Sequence, residues 1–322
     1  MGHLIRHHLR ELVFAALAVA ALALGGAAAL DGVAVFIAAL TPGMEAQAEG
    51  TPHGDTMRLA LPGFADSRYA PQVLYPVVAN IIPDWLHRAP VPAGPALIAI
   101  CIDDLGEDIA GTETAMRLPK AVALSFLPFA PTTPGFAARA KEEGHTVLAH
   151  VPMQAIGGSN PGPMALEIGM PPDEVARRLA WSLERVPGAV AVNNHEGSRF
   201  TSDQAALVPV MTMLKARGLF FFDSRTIGGA KGEAAAKAAG VDSIGRDIFL
   251  DDDQSEAAVT AQLNALAATA KKQGVAVAIG HPHAATLRLL KAWLADDHGV
   301  TLVPLPEAMR AKNTISLQVS RE

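Results

Sequence analysis

Only one cysteine, Cys101, stands among the 322 residues, so an intramolecular disulfide is excluded. It lies in an apolar run, where a lone thiol reads as a small core residue rather than a nucleophile. Aromatic residues make up only 5% of the chain, and composition therefore gives no hint of a sugar-stacking groove. Lysine and arginine are nowhere clustered, and the formal net charge is -6. Both features argue against a nucleic-acid partner, which needs a basic footprint on phosphate. Charge of either sign is missing altogether from Leu12 to Leu30. That gap approaches the ~20 residues needed to cross a bilayer. The flank before it carries Arg6 and Arg10 with His3, His7 and His8, which favours a cytoplasmic amino terminus.

The run is expected to be a signal anchor that holds the rest of the chain on the periplasmic side of a bacterial inner membrane. A cleaved signal peptide and export stay open, with Ala46-Gln47-Ala48 or Ala27-Ala28-Ala29 as the small-residue site. A buried helix is the third reading. The expected organisation is a basic flank and membrane segment over 1–40, a Pro/Gly-rich tether over 41–94, one domain over 95–312 and a tail over 313–322. The apolar stretch Val73–Ile82 within the tether has no assigned place.

Half of the chain is apolar, enough for one large core. Continuous apolar runs predict buried parallel strands. They cover Ala96–Ile102, Ala121–Leu127, Thr146–Ala149, Ala189–Val192, Leu219–Phe222, Asp247–Leu250, Val275–Ile279 and Val300–Val303. Helical patterns separate them: a stretch ending near Pro119, then Phe136–Glu143, Pro172–Val186, Ser202–Arg217, Gly232–Ala239, Gln254–Gln273 and Ala285–Ala295. Strands alternating with helices predict a parallel sheet. Seven or eight such units predict an α/β fold closed as a distorted barrel. In such folds the active site gathers at the carboxyl ends of the strands.

The polar residues cluster at those ends. Asp103 and Asp104 follow the first strand and His150 the third. His195 follows the fourth, Asp223 the fifth and His281 the seventh. One carboxylate with two imidazoles is a common ligand set for a catalytic divalent ion, with Zn²⁺ expected by ligand type and a position left for water. Such an ion lowers the pKa of water toward ~7 and polarises a carbonyl. A second carboxylate can then serve as base, and a further histidine can protonate the leaving group. Simpler readings compete: adjacent aspartates cap helices, and a single histidine is commonly a hydrogen-bonded structural group. His145 and His298 are read in that structural way, in surface-like charged contexts. Asp251-Asp252-Asp253 is read as a helix cap and a solvated turn.

Five segments carry a resemblance: Ile102–Gly106, Gly144–Met153, Asn193–Thr201, Phe222–Thr226 and Gly280–His283. In this order they resemble the divergent polysaccharide deacetylase family of bacteria, a distant relative of the NodB-type carbohydrate esterases. The similarity spans nearly all of Ala96–Lys312. It implies a distorted (β/α) barrel, a divalent metal, often zinc, and removal of N- or O-acetyl groups from polymers such as peptidoglycan, chitin oligomers or xylan. By position it implies Asp103 as catalytic base, Asp104 and His150 as metal ligands, and His281 as the group assisting departure. The second histidine of the family pattern falls at Gln154, and His195 is expected to replace it. Asn194, Ser198, Arg199, Asp223, Arg225 and His283 are expected to bind substrate or to hold the histidines from behind. The implied function is acetyl amide or ester hydrolysis on an envelope or extracellular polysaccharide, through metal-bound water. The alternative is a catalytically weak or inactive protein of this fold that binds glycan or a cell-wall partner.

Overall fold

The computed structural model describes residues 94–319, with side chains to Ser316, and two short upstream strands. The expected membrane segment and most of the expected tether lie outside the described residues. Among the described residues no helix is long and apolar enough to cross a membrane. The chain divides into two units, 1–89 and 90–322. In the first, β1 (Gln47–Glu49) pairs antiparallel with β2 (Arg58–Ala60).

The second unit alternates strands and helices. It begins with β3 (Leu97–Leu105), α1 (Ile109–Ala115), β4 (Ala123–Phe126), α2 (Thr133–Glu142) and β5 (Val147–Met153). There follow α3 (Pro172–Arg185), β6 (Ala191–Glu196), α4 (Gln204–Arg217), β7 (Phe220–Asp223), α5 (Gly232–Ala239) and β8 (Ser243–Gly245). The last elements are β9 (Ile248–Phe249), α6 (Glu256–Gln273), β10 (Val275–Gly280), α7 (Ala284–Trp293), β11 (Thr301–Leu302) and α8 (Leu305–Val319). Caps fix the longer helices. The Asp203 carboxylate accepts from the Ala205 and Ala206 N–H at the start of α4, and Gly218 ends that helix at φ 65°, a backbone that glycine adopts without a Cβ clash.

The strands lie in the order β8-β7-β6-β5-β4-β3-β10-β9, with β11 beside the start of β3. Every pairing in this sheet is parallel. The two edge strands are consecutive in the chain, joined only by Arg246 and Asp247. The Arg246 N–H donates to Asp223 O at 3.0 Å and the Asp247 N–H to Val277 O at 2.8 Å. The link therefore crosses from β7 to β10 and brings the curled sheet round on itself. β8 and β9 act as one broken strand position, which reconciles the expectation of seven or eight units with the distorted (β/α) barrel observed.

Side chains alternate across each strand, and the alternation sorts the core in two. One cluster lies under the helices and includes Ile98, Ile100, Ile102, Leu124, Phe126, Ala149, Val192 and Phe221. The other fills the inner face with Ala99, Cys101, Ala123, Leu148, Ala191, Phe220, Phe222, Val275, Val277 and Ile279. α8 packs on β3 and β10 and adds Leu305, Ala308 and Met309 to the inner cluster. Small residues (Ala99, Cys101, Ala123 and Ala191) stand among larger ones in this cluster. Ala99 is fully buried, so Ala99→Leu is expected to cost about 1–3 kcal/mol by overpacking. At roughly 2–4 °C per kcal/mol for a domain of this size, thermal denaturation will read that as a clear drop in Tm.

Three strands run further than their apolar runs suggest. β3 contains the Asp103–Asp104 pair, β5 contains His150, and β6 contains Asn193, Asn194 and His195. Hydrophobicity stops at these residues but the ladder does not, since β5 and β6 stay in register from Leu148↔Ala191 to Met153↔Glu196. β8 has no apolar run of its own and was not expected. α8 continues past Lys312 to Val319.

Candidate metal centre and active site

The inner face of the sheet is apolar at its amino end and polar at its carboxyl end. Following each inward row upward gives Asp103 after Cys101, Ser125 after Ala123, His150 after Leu148, Asn193 and His195 after Ala191, and His281 after Ile279. β3 departs from this regularity. Its register to β4 shifts between Ile102 and Leu105, which marks a bulge with one extra residue. Asp104 sits there at φ 57°, a left-handed backbone that aspartate tolerates better than most residues. A regular strand would send neighbouring side chains to opposite faces; the bulge lets Asp103 and Asp104 serve one site.

Asp104 Oδ1 lies 2.9 Å from His195 Nδ1 and 3.1 Å from His150 Nε2. The two ring nitrogens are 3.2 Å apart. Three potential ligand atoms from β3, β5 and β6 thus form a nearly equilateral triangle. Asp104 Oδ1 is buried yet receives no well-directed hydrogen bond from either ring, whereas the two ring nitrogens are within hydrogen-bond reach of each other. Burial alone would raise the Asp104 carboxyl, but contact with His150 and His195 and their positive charge outweigh it and hold it well below the usual carboxylate range. His150 responds in the opposite sense: burial opposes its charge, while the Asp103 and Asp104 carboxylates raise its pKa. A buried, ionised, unbonded carboxylate oxygen beside two imidazoles fits a divalent cation.

Asp103 lies beneath this triangle. It is held by neutral donors. Asn193 Nδ2 is 3.0 Å from each of its carboxylate oxygens, and Cys101 Sγ donates to Oδ1 at 3.2 Å. Asn193 Oδ1 accepts in turn from Ser125 Oγ at 2.6 Å. Oδ2 carries fewer bonds and faces His150 Nε2 at 3.8 Å, so it is the oxygen free to take a proton. Cys101 is fully buried, and burial followed by the Asp103 charge pushes its thiol up. It is a core residue with a bond to make, as expected of a non-nucleophilic thiol.

His281 closes the other side, its Nε2 3.9 Å from Asp104 Oδ2. Its Nδ1 meets Asp251 Oδ1 at 2.9 Å, and its backbone N–H donates to Asp251 Oδ2 at 2.7 Å. Thr286 Oγ1 also donates to Oδ2 at 2.9 Å. Burial would depress His281, but the Asp251 hydrogen bond and the charges of Asp104, Asp251 and Asp103 push it up to about 9. The ring therefore carries a proton on Nε2 at neutral pH. Asp251, His281 and His283 could also surround an ion, but both Asp251 oxygens are already spent on hydrogen bonds, so a proton on His281 satisfies this group without one.

Comparison with known proteins gives this arrangement a family. The sequence profile of the divergent polysaccharide deacetylases matches residues 100–309. The chain belongs to the divergent polysaccharide deacetylase family. It is similar to the uncharacterized protein YibQ of Escherichia coli, with 38% identity over 203 residues, 63% of each chain. This sequence thus spans less than two thirds of YibQ's length. An uncharacterized protein of Haemophilus influenzae is 36% identical over 219 residues, 68% of this chain and 78% of that one. The crystal structure of an uncharacterized protein from Agrobacterium tumefaciens matches with a TM-score of 0.63 at 28% identity, over 70% of this chain and 94% of that one.

In this member of the family, Gln154 does not face the triangle. Its Oε1 accepts from the Ile168 N–H at 3.0 Å, and its backbone bonds Leu166, Arg199 and Phe200. It ties down the loop after β5, and His195 occupies the corner from the neighbouring strand. The remaining expected residues sit around this centre in different ways. Asn194 accepts from the Ser224 N–H and donates to Glu196 O. Ser198 Oγ accepts from the Ile156 N–H. Arg199 is exposed. Asp223 is buried, which raises its carboxyl, and it bonds the Arg225 N–H. Arg225 pairs with Glu233 and reaches Arg246 O. The His283 ring is 6.0 Å from that of His281.

Sequence reasoning misplaced two groups and overlooked two. Asp251 is not part of a solvated turn: it is buried against His281, although Asp253 does bond the Ser255 N–H before α6. Its position at the end of β9, level with the other strand-end groups, was the available signal. Asn193 holds Asp103, where only Asn194 was expected to matter. Arg246, on the link between β8 and β9, was not considered. His145 and His298 are structural, as expected, but not surface groups in the case of His145, which is buried with its ring nitrogens on Val122 O and Met116 O. His298 stacks on Trp293 at 3.9 Å.

Proposed function

We propose that this chain is a metal-dependent carbohydrate deacetylase. Its substrate is an acetylated polysaccharide of the cell envelope, peptidoglycan or another envelope glycan. The reaction is hydrolysis of an N-acetyl amide or an O-acetyl ester. The chain works on the periplasmic side of the inner membrane, held by its apolar amino-terminal run. The observation that carries this reading is the convergence of Asp104 Oδ1, His150 Nε2 and His195 Nδ1, with Asp103 on one side and His281 on the other.

Asp104, His150 and His195 would hold the ion, for which Zn²⁺ is the leading choice by ligand type. A divalent ion there supplies Lewis acidity, which acidifies water and polarises the acyl carbonyl. Asp103 Oδ2 takes the proton of the attacking water, oriented for this by Asn193. His281 Nε2 gives its proton to the departing nitrogen or oxygen, and Asp251 steadies the ring through that transfer. Electrostatics support this division. His281 is raised to about 9 and so protonated, the state an acid requires, and a cation at the triangle would take the place of the histidine protons that hold Asp104 ionised without it.

The chemical test combines metal content with turnover. Elemental analysis of dialysed protein is expected to find one divalent ion per chain, and acetate release from acetylated glycans is expected to track it. His195→Ala should lose both, while Gln154→Ala keeps the ion. Stoichiometric metal in His195→Ala, or none in the wild type, refutes the ligand assignment.

A further inference from the structure

Arg246 occupies the link that closes the sheet, and its guanidinium is spent on one edge only. Nε donates to Ser224 O at 2.7 Å and Nη2 to Arg225 O at 2.8 Å. These two donors lie on the same side of the guanidinium. A guanidinium has five N–H donors, so the opposite fork, one N–H of Nη1 beside the second of Nη2, remains unspent. One face of the group rests over the Phe249 ring, with Cζ 4.8 Å from its centroid. Phe249 lies in turn 5.3 Å from the His281 ring. On the other side Ser224, which receives Nε, is also the residue whose Oγ is 3.4 Å from Asn193 Nδ2. Arg246 is thus one residue removed from both the proposed acid and the holder of the proposed base.

Its neighbour Arg225 is different. Arg225 pairs with Glu233 and approaches Asp247 at 3.8 Å, so its charge is answered inside the protein. Arg246 has no carboxylate in ion-pair contact among the described residues. It is only partly exposed; burial and then the Arg225 charge work against its own charge, and the more distant Asp103, Asp223 and Asp247 carboxylates offset them only in part. A rigid, half-buried cation with a free planar fork matches a planar anion geometrically.

We propose that Arg246 recognises a carboxylate carried by the substrate, so that the preferred glycan bears an acidic sugar at or next to the residue being deacylated. This rests on the deacetylase reading and deepens it by naming the substrate class. A single fork with one positive charge suits a carboxylate better than a doubly charged phosphate. Substrate recognition thereby moves from Arg225, which is consumed internally, to Arg246.

The test measures binding on the metal-free full chain, where no turnover is needed. The probes are chitotetraose, which is neutral, and a peptide-free tetrasaccharide of alternating N-acetylglucosamine and N-acetylmuramic acid, which carries carboxylates. The acidic probe is expected to bind about 10–100-fold more tightly at low salt, the worth of a charge-assisted pair. The preference should shrink as ionic strength rises. Arg246→Gln should bring the ratio close to one, and Arg246→Lys should keep only part of it, because an ammonium lacks the fork. Equal binding of both probes by the wild type overturns the proposal. So does an equal loss for both probes in Arg246→Gln, which would assign the residue to the neutral part of the site. Stronger competition by inorganic phosphate than by acetate at matched ionic strength overturns the choice of carboxylate. If the preference holds but the same protein, reloaded with Zn²⁺, releases no acetate from either probe, the deacetylase reading is refuted and the anion site stands.

Discussion

Asp104→Asn is expected to empty the metal centre and abolish acetate release while leaving the fold intact. Asparagine has nearly the same shape as aspartate and tolerates the left-handed backbone that Asp104 adopts at φ 57°. The bulge in β3 therefore survives the change. What is lost is the charge, on the one carboxylate oxygen that stands 2.9 and 3.1 Å from two imidazole nitrogens. Groups that merely support a metal ligand cost roughly 10–100-fold in affinity when removed, so a charged ligand should cost more than about 100-fold. A second readout follows from mass action. A ligand at a hundred times its Kd stabilises the folded state by about 2.7 kcal/mol, so added Zn²⁺ should raise the Tm of the wild type and leave Asp104→Asn unmoved. A variant that still binds one ion per chain, or still shows the metal-dependent rise in Tm, would remove Asp104 from the centre.

Most of the strands, and their parallel arrangement, were legible because buried parallel strands are apolar on both faces. The runs beginning at Ala96 and Val275 mark β3 and β10 for that reason. What the runs could not show is where a strand stops. His150 and Asn193 look like loop residues by hydropathy, yet the ladder passes through them, because a polar side chain on the inner face leaves the backbone hydrogen bonds intact. The bulge at Asp103–Asp104 is invisible in the same way. It depends on how β3 registers against β4, a relation between two segments rather than a property of one. Asp251 shows the converse. A run of three aspartates reads locally as cap and solvent, and only the placement of β9 beside β10 turns the first of them inward onto His281. Gln154 first favoured a protein without the usual ligand set. The side-by-side pairing of β5 and β6 weakens that ground, since it brings His195 to the corner where the sequence left a gap.

His281 and Asp251 carry the second large effect. His281→Gln is expected to lower kcat by about 10²–10⁴-fold, the usual range for a lost general acid, with the metal still bound. Asp251→Asn should fall between this variant and the wild type. Its Oδ1 can still accept from Nδ1, but the carboxylate charge that favours the imidazolium is gone. The pH dependence separates the two roles. His281 must be protonated to act, and its neighbours push it from an ordinary 6.5 up to about 9. The basic limb of kcat is therefore expected below about 9 but above 6.5, since an ion at Asp104 offsets part of the negative charge that raises the ring. Asp251→Asn should shift this limb toward 6.5. Stability follows the same sign. The histidine's pairing stabilises the fold fully below its ordinary value and is lost as pH rises through the raised one, so the stability difference between wild type and Asp251→Asn should narrow at alkaline pH. An unchanged basic limb in Asp251→Asn, with kcat near that of the wild type, would leave His281 as a bystander and the departing group without a proton donor.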